Sequence, residues 1–253
     1  MRKLFIFDLD DTLMLNYHLY NQATIDFLQY LMKVFKNRTP TLEYMINTIS
    51  SIDIEMIKKI NPASGVPYGF AMERFPDSFV AAYKKFCEDG WGKYDSIIAA
   101  IIHNIGMTAF KEESYWESGM MAGAEETLNF LKNRGDDLAL LTKGDVRVQD
   151  KKIKALRLSR WFKNIRIVDD KTRVTFYSFT ELRKAEYVFS VGNSFSSDIR
   201  PALDVGFRAI FIPCQTWRFE NINPGRLTDS DKRRLTTLKS ISELPETYKK
   251  MFD

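Results

Sequence analysis

Only two histidines and two cysteines occur in this 253-residue sequence. Cys87 and Cys214 stand far apart, so there is neither a disulfide framework nor the paired spacing of a zinc site. With His18 and His103 alone, a histidine-built metal centre or a Ser-His-Asp triad has little to draw on. Any metal therefore falls to carboxylates, which favours Mg²⁺ over Zn²⁺. Long apolar runs are missing as well: none approaches the ~18 residues of a membrane span. The apolar stretch behind Met1-Arg2-Lys3 is too short for a signal-peptide core and is broken by acids. A cytoplasmic protein with no membrane partner is expected. Repeats and low-complexity tracts are absent too.

Long blocks of one charge are also lacking, and the net charge of +4 is a mild excess. Lys151-Lys152, Lys232-Arg233-Arg234 and Lys249-Lys250 are short basic clusters. They read as solvated helix faces, which argues against a nucleic-acid partner. A weakly basic surface suits a small anionic substrate instead.

The most informative string present is Phe5-Ile6-Phe7-Asp8-Leu9-Asp10-Asp11-Thr12-Leu13. Its apolar start reads as a buried parallel strand that ends abruptly in carboxylates. Ligands of open α/β sheets bind at the carboxyl ends of strands. If strand geometry persists, Asp8 and Asp10 point to the same side. Two carboxylates so close repel unless a cation or a shared proton intervenes. A hard divalent metal resolves this, leaving one acid free to attack and the other to move a proton.

The first strand is expected at about residues 3–8, followed by helical segments at Tyr17–Phe35, Thr41–Ile60, Phe75–Cys87 and Tyr94–Ile105. The rhythm then changes. Strands are expected at 137–142, 165–168, 187–191 and 208–212, with helices at 124–133, 146–158, 172–183 and 198–205. This alternation predicts an α/β fold, a Rossmann-like parallel sheet covered on both faces. Its domain occupies 1–15 and 119–253, and an α-helical cap domain, 16–118, is inserted after the first strand.

Each later strand ends in polar chemistry. Thr142-Lys143-Gly144-Asp145 offers a hydroxyl and turn amides for a phosphate, or simply a helix cap. Lys171 follows the third strand and would serve as a point charge for an anion. Gly192-Asn193-Ser194 follows the fourth, with Asp198 opening the next helix as either a ligand or an N-cap.

Taken in order, Asp8-Leu9-Asp10-Asp11-Thr12, Thr142, Lys171 and Gly192-Asn193-Ser194…Asp198 resemble the four motifs of the haloacid dehalogenase-like superfamily. The resemblance spans roughly residues 1–15 and 119–250. It implies a Mg²⁺-dependent phosphatase acting on a small phosphorylated metabolite. Asp8 would attack phosphorus and form an aspartyl-phosphate, and Asp10 would protonate the leaving alcohol and then activate water. Mg²⁺ would bind the Asp8 carboxylate, the Asp10 backbone carbonyl and the Asp198 carboxylate. Thr142 and Lys171 would hold phosphoryl oxygens.

Two positions depart from the usual pattern. Asn193 stands where relatives often have Asp, which reduces it to an outer group at the metal. Thr172 replaces a frequent Pro after Lys171, which leaves Lys143 as the alternative anion binder. Tyr68, Phe70 and Arg74 in the insert are candidates to face the substrate, as are Trp217 and Arg218. Dehalogenases of the superfamily lack an acid equivalent to Asp10, whereas a phosphomutase would keep the same core residues. A non-catalytic binding protein would have no need of the Asp8, Asp10 and Asp198 set.

Overall fold

The computed structural model describes residues 2–179, 185–214 and 227–253. Two compact units emerge: Met1–Tyr17 with Tyr115–Asp253, and His18–Ser114. The transitions fall at 17/18 and 114/115, against the 15/16 and 118/119 of the sequence reading. The difference has local causes. The amides of Asn16 and Tyr17 both donate to Asp11 Oδ1 at 2.9 Å. Tyr115 is fully buried, and the Lys152 ammonium lies 5.7 Å from its ring centroid.

The first unit is built on six parallel strands: β1 (Lys3–Phe7), β2 (Asp137–Lys143), β3 (Asn164–Val168), β4 (Tyr187–Gly192), β5 (Arg208–Phe211) and β6 (Leu235–Thr237). Their order is β3-β2-β1-β4-β5-β6. The short sixth strand was not foreseen. Leu4 pairs with Asp137 on one side and with Val188 on the other, so β1 lies inside the sheet. Every residue of β1 is buried, because an all-parallel sheet is covered on both faces. Leu4 and Ile6 join Ala139, Leu141, Phe176 and Val188 in one cluster. Phe5 turns to the opposite face and stacks on Phe189 at 4.8 Å between centroids. These alternating apolar positions hold the sheet, and the polar residues gather where its strands end.

In the second unit, α1 (Tyr17–Phe35), α2 (Leu42–Met56), α3 (Arg74–Glu88) and α4 (Ser96–Met107) follow the apolar spacing of the sequence. Phe27 of α1 stacks on Phe79 of α3 at 4.4 Å. A further helix, α5 (Glu112–Ser118), crosses the transition at 114/115 and was not anticipated. The first unit then continues with α6 (Ala124–Asn133), α7 (Val146–Ala155), α8 (Arg173–Tyr177), α9 (Arg200–Asp204), α10 (Asp229–Arg234) and α11 (Leu244–Phe252). Trp217, Arg218 and the end of the helix expected over 172–183 lie outside the described residues.

No described helix is long and apolar enough to cross a membrane.

Candidate active site

Four of the strand ends converge chemically. Asp8 follows β1 and keeps one more sheet contact, its amide donating to Val191 O at 2.9 Å. The chain then turns tightly, with the amides of Leu13 and Met14 donating to Leu9 O. Asp11 sits inside the turn at φ +59°. Because strand geometry stops there, Asp8 and Asp10 find different partners instead of sharing one.

Asp8 is buried. Its Oδ1 accepts from Lys171 Nζ at 2.5 Å and its Oδ2 from the Thr12 hydroxyl at 2.8 Å. The same ammonium donates to Asp198 Oδ1 at 2.7 Å. Asp198 Oδ2 accepts from the Ser194 amide at 2.9 Å. Burial, with Asp198 and Asp10 nearby, pushes the Asp8 carboxyl up to about 7, while Lys171 offsets part of that rise. Lys171 is itself raised, the two carboxylates outweighing its desolvation.

Local structure explains these placements. Lys171 precedes Thr172, which caps α8 with a reciprocal capping box, so Thr172 does the work of a helix start without proline. Asp198 is not an N-cap. It lies in a π-type turn, Phe195–Ile199, whose cap is Ser194. Its carboxylate folds back against β4, and only glycine fits beneath it: a Cβ on Gly192 would come within 2.3 Å of Asp198 Oδ2.

Thr142 is the last residue but one of β2, its hydroxyl buried and without a hydrogen-bond partner among the described residues. Lys143 Nζ lies 3.3 Å from the Ser197 hydroxyl. Gly144 adopts φ +138°, a conformation that side chains disfavour, and leads into the Asp145 cap of α7. Asn193 Oδ1 lies 3.3 Å from the Thr12 hydroxyl, which ties it to the support of Asp8.

Arg74 goes elsewhere. Its Nε pairs with Asp53 at 3.1 Å and its Nη1 donates to Gly69 O at 3.0 Å, all inside the helical unit. The Tyr68 hydroxyl donates to Asp77 at 2.7 Å. Arg74 is thus an internal tie between α2 and the turn before α3, its guanidinium engaged there and not presented to a substrate. A buried guanidinium must find an anion, and Asp53 supplies it.

No three acidic, histidine or cysteine side chains among the described residues form a metal cage by themselves. Mg²⁺ does not require one, since it commonly binds one or two carboxylates and keeps waters. Asp8 and Asp198 offer oxygen donors side by side, and their mutual repulsion calls for more positive charge than one lysine provides. The donor set fits a hard dication, with the Asp10 carbonyl as the third ligand that the sequence pattern implies.

The profile of the haloacid dehalogenase-like hydrolases matches residues 5–211. The chain belongs to that family. Among solved structures it is similar to a haloacid dehalogenase-like hydrolase from Xanthomonas campestris, with 20% identity, a TM-score of 0.71, and 99% of this chain and 91% of that one covered. It also resembles a Bacillus subtilis protein described as the HAD-hydrolase YfnB, solved with magnesium bound, at 17% identity and a TM-score of 0.60 over 98% of this chain and 100% of that one. A Thermotoga maritima protein described as a beta-phosphoglucomutase matches at 16% identity and a TM-score of 0.58, with both chains covered in full. At these identities the likeness concerns the fold. No curated protein matches the sequence.

In this haloacid dehalogenase-like hydrolase, two further residues that the sequence did not single out reach the candidate site. Lys152 was assigned to a solvated helix face. Its ammonium instead meets both oxygens of Asp10, at 2.8 and 3.0 Å, and its side chain is 1% exposed. Gln149 Nε2 donates to Asp10 Oδ2 at 2.9 Å. The signal was available: Val148, Gln149, Lys152 and Ile153 form the buried stripe of α7, so two polar residues share an inward face.

Proposed function

We propose that this chain is a magnesium-dependent phosphatase that hydrolyses a small phosphate monoester, such as a nucleotide or sugar phosphate, through an aspartyl-phosphate on Asp8. One observation carries the reading: two carboxylates beside one another with separate holders, Asp8 on Lys171 and Thr12, Asp10 on Lys152 and Gln149. A departing halide needs no proton, whereas a departing alkoxide does. A second acid next to the nucleophile therefore favours ester hydrolysis over dehalogenation. The unpartnered Thr142 hydroxyl adds support, because a phosphoryl oxygen would complete it.

In this mechanism an Asp8 oxygen attacks phosphorus, the bond to the alcohol breaks, and the alkoxide takes the proton carried by Asp10. Asp10 then takes a proton from water, whose oxygen attacks the aspartyl-phosphate and releases inorganic phosphate. Lys171 lowers the repulsion between Asp8 and the phosphate dianion. Thr142 and Lys143 line the phosphoryl oxygens, the Gly144 amide being taken by the Val168 carbonyl at 3.1 Å, and Asn193 steadies Thr12. Asp8, Asp198 and the Asp10 carbonyl would hold Mg²⁺, which would supply charge stabilisation to the transferring group.

The test is hydrolysis of p-nitrophenyl phosphate, expected with Mg²⁺, abolished by EDTA and abolished in Asp8→Asn. A panel of phosphorylated metabolites then identifies the alcohol. Release of inorganic phosphate distinguishes hydrolysis from a mutase, which would return an isomeric phosphate ester. Undiminished turnover by Asp8→Asn overturns the nucleophile assignment.

A further inference from the structure

We infer that Lys152 is a positioning residue for Asp10, working with Gln149, and that the leaving-group step depends on it. The inference rests on the phosphatase reading for its kinetic part and on geometry alone for its structural part.

Burying an ammonium is costly unless an anion meets it. Lys152 is set deep on α7 and spends that cost on one partner, which lies 142 residues away in the chain. Its two hydrogen bonds go to both Asp10 oxygens, which fixes the rotation of the carboxylate as well as its place. Gln149, one helical turn earlier, uses its amide nitrogen twice: on Asp10 Oδ2 at 2.9 Å and on the Lys143 carbonyl at 3.1 Å. That second bond ties the arrangement to the end of β2, where Thr142 stands. The Tyr115 ring lies under the ammonium.

Exposure separates the roles. The Asp10 side chain is 23% exposed, while that of Lys152 is 1% exposed. The carboxylate is therefore anchored from behind and open in front. Lys152 acts through Asp10 and has no route to the reacting atoms of its own. Lys171 and Lys152 divide the labour, one holding the attacking acid and the other the proton-carrying acid.

Lys152→Met keeps the length of the apolar stem and removes the ammonium. With phenyl phosphate, kcat should fall about 100-fold, within the usual worth of a positioned acid. With p-nitrophenyl phosphate, whose leaving group needs little protonation, the fall should be less than about fivefold. KM should move less than about threefold on both, and Lys152→Arg should recover about tenfold of the loss on phenyl phosphate. In an Asp10→Asn background, adding Lys152→Met should cost less than about twofold more, since the residue it positions no longer acts. Gln149→Leu, which leaves no buried charge unpaired, gives a smaller loss of the same leaving-group pattern. A crystal structure of Lys152→Met should show Asp10 in more than one rotamer. Equal losses on the two esters, or losses that multiply with Asp10→Asn, overturn the inference. If wild-type protein turns over no phosphomonoester, the phosphatase reading fails, and an unmoved, single Asp10 rotamer in Lys152→Met separately overturns the positioning role.

Discussion

Lys171 and Asp198 meet at 2.7 Å, and the same ammonium also holds Asp8, so one buried lysine keeps two carboxylates from facing each other unpaired. Removing one partner of a buried ion pair costs roughly 3–5 kcal/mol, because the remaining charge is stranded. Lys171→Met should lose about that much in urea unfolding at pH 8. Added Mg²⁺ should restore part of it by binding the native state. A variant as stable as wild type without the metal would contradict the picture.

Thr142 should show function and stability pulling apart. Thr142 is 1% exposed, and its buried hydroxyl has no partner among the described residues. Removing an unsatisfied buried polar group is neutral or stabilising, so Thr142→Val should unfold at the same or higher urea concentration. Its kcat/KM for p-nitrophenyl phosphate should nevertheless drop about tenfold or more, the worth of one donor to a transition-state oxygen. A large loss of stability would mean that the hydroxyl is satisfied in the folded protein.

Asp8 links pH to stability. Its carboxyl titrates near 3.8 when exposed and is raised to about 7 in the fold. Between those values the native state binds a proton that the unfolded chain releases, so stability falls as pH rises. This contribution is fully present below about 3.8 and gone above about 7. Asp8→Asn should flatten that slope. Metal binding needs the ionised carboxyl, so the rise in Tm on adding Mg²⁺ should be larger at pH 8 than at pH 5.5. An equal rise at both values, measured by calorimetry, would refute the role of Asp8 as a ligand.

Gly192→Ala tests the fit of Asp198. The added Cβ meets the Asp198 carboxylate and its Cβ at 2.3–2.5 Å, so the side chain must shift. Overpacking of this kind costs typically about 1–3 kcal/mol. The expected signature is Mg²⁺ affinity reduced at least about tenfold in titration calorimetry, with the far-ultraviolet circular dichroism of the fold retained.

Asp11 holds the chain as it leaves the first unit, through two amides bonded to a single oxygen. At about 1 kcal/mol per hydrogen bond, Asp11→Ala should cost roughly 2 kcal/mol. Asp11→Asn keeps an acceptor and tolerates φ +59°, so it should cost less than about 1 kcal/mol. Equal costs for the two variants, read from urea midpoints, would remove the role of the hook.

Much of the fold was legible because its signals are local. The strand expected at 187–191 is found at Tyr187–Gly192, and the helix expected at 124–133 is Ala124–Asn133. The polar residues after the strands could be read together as one candidate site because a parallel sheet sends every strand end to one edge. What escaped had long-range causes. Lys152 looks like solvent-facing charge until Asp10, far off in sequence, is placed against it. Arg74 looks like an anion binder until Asp53 is seen to claim it. The sixth strand, Leu235–Thr237, is too short to announce itself and forms because the edge of β5 accepts it. Asp198 could be read as cap or ligand because a π-type turn leaves no periodic trace in the sequence.

The position of β1 also bears on how the protein is assembled. Its five buried residues need Asp137–Leu140 on one side and Tyr187–Val191 on the other, and all of these follow the whole helical unit in the chain. Until they arrive, Lys-Leu-Phe-Ile-Phe is an apolar segment with both edges open, the kind of element through which partly folded chains stick together. Refolding yield should therefore fall as protein concentration rises. Early collapse of residues 18–114 would shorten the loop that β1 has to close. The strand that leads into Asp8 precedes its neighbours in sequence and is completed only after them.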